Sequence, residues 1–137
     1  MKQSLIKRIY TDLYDAFKGV TDGVYFGRPK TINESYISFI EITLPSEISD
    51  IVAGGTDFVL STYAVVNLYV KAKSDSTMNV GKQTELTQVI QDKFPIKGEV
   101  IVASRPTIQM MGYDGYGFNV TQFLFKVRTL INVNNNQ

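Results

Sequence analysis

The residues of this chain best suited to chemistry are four carboxylates, Glu34, Glu41, Asp50 and Asp57. Gathered at one point they could hold a magnesium ion through oxygen ligands. A nuclease core of that kind needs an acidic residue two positions before a lysine on a following strand. Tyr69 and Lys71 stand two positions before Lys71 and Lys73, so the signature fails. The Gly81-Lys82 pair in Val80-Gly81-Lys82-Gln83 lacks the rest of a P-loop, and Gly54-Gly55 sits among apolar residues with no dinucleotide fingerprint. Gly112-Tyr113-Asp114-Gly115-Tyr116-Gly117 looks superficially like a glycine-rich phosphate loop. It joins two strand patterns and leads into no helix, so it offers an anion no helix N-terminus and reads as a hairpin turn. There is no histidine and no cysteine. That excludes Ser-His-Asp and Cys-His arrangements and zinc sites built from His and Cys, and removes the commonest general base. The expectation is a protein that is not an enzyme, with no catalytic, cofactor or metal residues.

Aromatic residues make up 12% of the chain, which raises base stacking on a sheet as a second chemistry. Tyr63 and Tyr69 have only Lys71 and Lys73 near them, so a face that is buried or covered by another subunit fits better. The net charge of +1 argues against a dedicated nucleic-acid binder. The distribution is uneven: residues 1–30 sum to +3, residues 31–70 to −5 with no Lys or Arg, and residues 71–137 to +3.

The element that must position these groups is Ser61 to Lys73, the longest clean strand pattern. Ala64, Val66, Leu68, Val70 and Ala72 share one face; Tyr63, Val65, Asn67, Tyr69 and Lys71 share the other. Thirteen residues would run roughly 40 Å. The aliphatic face belongs on a core, and the face with Tyr63, Val65 and Tyr69 is half-wet or covered by a neighbouring subunit. Before it, Met1 to Lys18 reads as an amphipathic helix with Leu5, Ile9, Leu13 and Phe17 in one stripe, ended by Gly19. Val24 to Phe26 reads as a short edge strand, and Ser35 to Leu44 as a strand stopped by Pro45. Ser46 to Leu60 reads as a long hairpin or arm turning at Gly54-Gly55. Its Ile48, Ile51, Val52 and Phe58 need a surface to cover them, either a partner's or that of their own domain.

After the central strand, Met78 to Phe94 reads as a second helix capped by Thr77 or Asn79 and ended by Pro95. Glu99 to Ser104, Thr107 to Met111 and Phe118 to Val133 read as strands. The expected fold is α+β: a four-stranded, mostly antiparallel sheet with two helices on one face, in the order helix, strands, helix, hairpin. A helix-then-hairpin order recurs twice without a sequence repeat. The length suggests a single domain, residues 1–131, and a polar Asn-rich tail, residues 132–137. No apolar run approaches the roughly 18 residues of a membrane span. The charged start lacks a signal-peptide core. The expectation is a soluble protein, made and used without secretion.

Four patterns resemble the tail-terminator and tail-completion proteins of long-tailed bacteriophages, a family that includes head–tail joining and minor tail proteins. They are an N-terminal helix followed by Gly23 to Gly27 and Arg-Pro, a strand ending in Leu44-Pro45 before a long loop, Val66 to Lys71 before the second helix, and a last hairpin ending in Phe123 to Val127. The resemblance reaches to about residue 131. It implies a virion protein made in the host cytoplasm, assembling as a ring, a hexamer or a higher order such as a dodecamer. The ring would sit at the head–tail junction, ending the tail tube and meeting the head connector, with DNA passing through without specific binding. It also implies that Ile48, Ile51, Val52, Phe58, Tyr63, Val65, Tyr69, Tyr113 and Tyr116 face subunits or partners. Glu47, Asp50 and Asp57 would line the channel, where negative charge repels phosphate. The alternative is a non-viral α+β interaction module or a subunit of another complex.

Overall fold

The computed structural model describes residues 5–44, 49–54 and 57–129; for Leu5, 49–54 and 57–60 the description is of the backbone alone. The elements are α1 (Leu5–Phe17), β1 (Val24–Phe26), β2 (Ser38–Thr43), β3 (Ser49–Gly54), β4 (Asp57–Lys71), α2 (Val80–Gln91), β5 (Ile96–Lys97), β6 (Ile101–Ala103), β7 (Thr107–Tyr113) and β8 (Phe118–Thr129).

The strands form one curled, mixed, eight-stranded sheet, not the expected four-stranded one. Its order is β1-β2-β4-β8-β6-β5, with β3 also on β4 and β7 also on β8. Two long antiparallel strands make the spine, paired from Ser61↔Arg128 to Lys71↔Phe118. The outer edge of each carries two shorter strands end to end. β2 and β3 follow one another along β4, and β7 and β6 along β8. The short β1 and β5 then extend the two sides, β1 parallel to β2 and β5 antiparallel to β6. The four-stranded expectation fails for a physical reason. The short edge strand at 24–26, both strands of the arm and the separate pieces at 101–103 and 107–113 all join the sheet of the two long strands, a long-range outcome that strand periodicity does not show.

Both halves of the chain therefore share a plan: helix, short strand, two strands end to end, long return strand. The core lies where both helices cover the same sheet face. Ala64, Val66, Leu68 and Val70 from β4 meet Phe123, Phe125 and Val127 from β8, with Ile40 and Ile42 from β2. The stripe Ile9, Leu13 and Phe17, spaced four apart, buries α1 against them. Gly19, at φ +81°, lets the chain leave the helix through the left-handed region. α2 is capped by Asn79, whose side chain accepts from the Lys82 N–H at 3.2 Å. It buries Gln83, Leu86 and Ile90. Val89, at helical spacing from Leu86, is 38% exposed, and Gln83 takes an inward place. The Gln83 amide donates to Thr121 Oγ1 at 2.9 Å, tying α2 to β8. Phe94, just past the helix, meets Phe125 edge-on at 4.7 Å.

A buried carboxylate joins the first helix to the second half. Asp12 Oδ2 accepts from the Val100 and Ile101 N–H groups at 2.8 and 3.2 Å. Gly98 passes so close that a Cβ there would collide with the Asp12 carboxylate.

Candidate assembly surface

The sheet face away from the helices is where the molecule has something to offer. Odd-numbered β4 residues and even-numbered β8 residues point there, and the face divides into two ends. At the Lys71 end it is sealed by the chain itself. Phe39 and Tyr69, a cross-strand pair, stack at 4.4 Å with ring planes 4° apart. Phe118 meets Phe39 edge-on at 5.1 Å, and Val120 closes the cluster. Ile32, Tyr36 and Tyr25 pack on it from the 27–36 loop and β1. The Arg28 guanidinium lies 4.9 Å from the Tyr69 ring centre, 5.5 Å from that of Phe39 and 5.7 Å from that of Tyr116. A cation over each ring face is worth on the order of 1 kcal/mol. Arg28 Nη1 also reaches Asp114 Oδ2 at 3.4 Å.

Beneath this lid lies a polar triplet centred on Glu41, with Asn67 Oδ1 left without a hydrogen-bond partner among the described residues. The Tyr69 hydroxyl and the Asn67 amide both donate to Glu41 Oε1, at 2.9 and 3.1 Å. Burial, reinforced by the carboxylate of Glu41, pushes the Tyr69 phenol up to about 12. The hydrogen bond between Tyr25 and Tyr36 raises the Tyr25 phenol as well. Tyr69, read from sequence as facing another chain, is 7% exposed and is covered by its own chain. Lys71 Nζ donates to the Glu34 carbonyl at 3.3 Å. Between the 28–36 loop and the Tyr116–Phe118 turn lies an open cleft of about 840 Å³, lined by Arg28, Lys30, Glu34, Tyr36, Lys71 and Tyr116 among others.

At the other end the face is open. Tyr63 is 47% and Leu124 is 40% exposed, with half-buried Val65 between them and the exposed Lys126 and Arg128 alongside. Beyond this end runs the arm. β3 pairs with the first part of β4 from Ser49↔Ser61 to Gly54↔Asp57. The pairing of β4 with β8 ends at Ser61, so among the described residues Asp57 to Leu60 have a strand on one side only.

The site residues expected from sequence thus separate into two groups. Ile51, Val52, Phe58, Asp50 and Asp57 lie on the arm, and Tyr63 and Val65 at its root. Tyr113, on β7, and Tyr116, in the turn after it, lie at the cleft end and are exposed. Glu47 and Ile48 fall outside the described residues. Among the described residues no three carboxylates gather as a metal site, and no helix is long and apolar enough to cross a membrane. The sequence reading missed the clamp of Arg28, Asp114 and Glu41. The available signal was Glu41 alternating with Phe39 opposite Ile40 and Ile42, which places a carboxylate on the face that Tyr69 and Asn67 share. No family model matches the sequence, and no curated protein matches it either.

Proposed function

We propose that this chain is a structural subunit of a bacteriophage tail end. It assembles as a ring at the head–tail junction, stops the tail tube, meets the head connector and lets DNA pass through its channel. The sequence resemblance at Gly23 to Gly27, Val66 to Lys71 and Phe123 to Val127 supports the identity of the assembly. The observation that carries self-association is the arm. Among the described residues it is a two-stranded ribbon beyond the last β4–β8 pair, and such a ribbon is marginal in water by itself and calls for a covering surface. The open end of the sheet at its root, with Tyr63 and Leu124 exposed, extends the same surface.

Light scattering and negative-stain imaging of the purified protein, alone and with tail tubes, test the reading. The expected result is a closed ring with a central hole, formed by the chain alone or on the end of a tube. A chain that stays monomeric in both settings overturns it.

A further inference from the structure

We infer that the cleft between the 28–36 loop and the Tyr116–Phe118 turn is a nucleotide site. It takes the phosphate of a nucleoside phosphate on Lys30 and Lys71 and the base against Tyr116. The inference goes beyond the ring reading and does not depend on it, because one folded chain holds the whole cleft.

The charge of the cleft follows from how the fold returns the chain on itself. Residues 31–70 carry no Lys or Arg. Lys30 and Lys71 bracket that stretch, and the fold brings its far end back to its near end, so both lysines line one cleft. Arg28 lines it too, against one carboxylate, Glu34. Arg28 is held by Asp114 at 3.4 Å, whereas neither lysine pairs with a carboxylate among the described residues. The Lys71 ammonium uses one of its three donors on the Glu34 carbonyl at 3.3 Å, which leaves two for an anion. Lys30 is exposed.

The walls stand ready without a ligand. Asn33 closes the loop on itself: its Oδ1 accepts from the Ser35 N–H at 2.9 Å and its carbonyl from the Tyr36 N–H at 3.0 Å. The Ile37 carbonyl accepts from the Lys71 N–H at 2.7 Å, tying the loop to the end of β4. The Gly117 carbonyl accepts from the Ala72 N–H at 2.9 Å, tying the turn to the same place. A preformed cleft has little ordering left to do on binding. Its volume of about 840 Å³ falls within the roughly 300–1,000 Å³ of small-ligand pockets.

The rings decide which anion fits. Tyr116 is 79% exposed, more than any other large hydrophobic side chain described. The Arg28 guanidinium lies 5.7 Å from its ring centre, and most of the ring is left open to a ligand. Tyr36 stands on the facing wall. A nucleobase stacks on such a tyrosine whatever its identity. The Glu34 carboxylate supplies an acceptor for a ribose hydroxyl or a base amino group. Inorganic phosphate or an acidic peptide would engage the lysines and leave Tyr116 unused. A free nucleotide and a DNA strand present the same chemistry, and the experiment separates them.

Isothermal titration of the full-length protein uses four probes: dADP, a short single-stranded DNA, inorganic phosphate and a short polyglutamate peptide. Circular dichroism checks the fold of each variant. The expected result is binding of dADP, weakened on the order of a hundredfold in K30A/K71A and about tenfold in Tyr116→Ala. Binding of the DNA in place of dADP, with the same losses, upholds the site and makes a strand its source. Should K30A/K71A misfold for want of the bond to Glu34, Lys30→Ala alone is expected to weaken binding about tenfold. Inorganic phosphate bound as tightly as dADP, with Tyr116→Ala without effect, overturns the nucleotide assignment. Polyglutamate bound more tightly than dADP and the DNA also overturns it, giving the cleft to an acidic protein segment. No binding of dADP or DNA, or binding that the folded variants leave unchanged, overturns the site outright. Ring formation is scored separately by light scattering, so failure of the site leaves the ring reading where it stands.

Discussion

The two hairpins of this protein, β3–β4 and β7–β8, occupy equivalent places in its two halves and are held in opposite ways. The second lies against the body. β8 runs between β7 and β4, and the turn after β7 is clamped by Asp114. Asp114 Oδ1 accepts from the Tyr116 and Phe118 N–H groups at 2.7 and 3.1 Å, and its other oxygen meets Arg28. Gly115 and Gly117, at φ +83° and +100°, supply the left-handed backbone that so tight a turn needs. Among the described residues the first hairpin continues past the last β4–β8 pair as a ribbon with a neighbour on one side only. The same plan thus yields one hairpin clamped to the subunit's own body and one whose described strands run past the last β4–β8 pair.

The comparison breaks first at Phe39. Its ring touches Tyr69, Tyr25 and Phe118, so it welds the turn end of the second hairpin to the first half. Phe39→Ala is expected to cost about 3–5 kcal/mol in a denaturant titration. A loss near zero would show that the sealed end of the face contributes nothing to the fold. Asp114→Ala comes next, at about 2 kcal/mol, because two backbone donors lose a charged acceptor. Amide exchange should quicken in residues 113–118 and not in α1. If the whole chain exchanges faster by one factor, the clamp is not local.

Alkaline pH acts on the same lid. The unfolded chain ionises Tyr69 near the ordinary 10, whereas the folded chain holds the proton to about 12. Below 10 that contribution is fully present, and it falls as pH rises through the window between the two, because the unfolded state releases a proton the folded state keeps. The melting temperature should drop over that range, and Tyr69→Phe should flatten the drop. The smallest effect belongs to the arm. D50K/D57K should shift the stability of the isolated subunit by no more than about 0.5 kcal/mol. Amides of β3 should exchange well ahead of those in β7, and equal rates would erase the contrast between the hairpins.

Much of the first core was legible in the residues themselves. The four-residue spacing of Ile9, Leu13 and Phe17 and the alternation of Ala64 to Val70 pointed at the faces that are buried. Phe123, Phe125 and Val127 did the same for β8. Gly19, Asn79 and the turn at Gly112 to Gly117 marked the ends of elements through local backbone chemistry. What stayed hidden was anything decided at long range. The sealed end of the second face buries Phe118 to Thr121 on both sides of β8, and alternation starts only at Gln122. The cover comes from a loop around Arg28 with no periodicity to announce it, so Tyr69 looked available when it is enclosed. The two-residue β5 is a strand because β6 lies beside it, which no window of a few residues can reveal.

The Asp12 carboxylate sets a condition on the order in which this chain can fold as it is made. Its two backbone donors stand 88 and 89 positions further along. Until the ribosome has released the chain past Ile101, the first helix would have to bury a charged group with its acceptors unfilled, at a cost that keeps it undocked. The first half has a helix, a sheet and an arm of its own, yet it waits as an incomplete unit. The β3–β4 hairpin is therefore not part of a finished subunit until most of the second half has been synthesised.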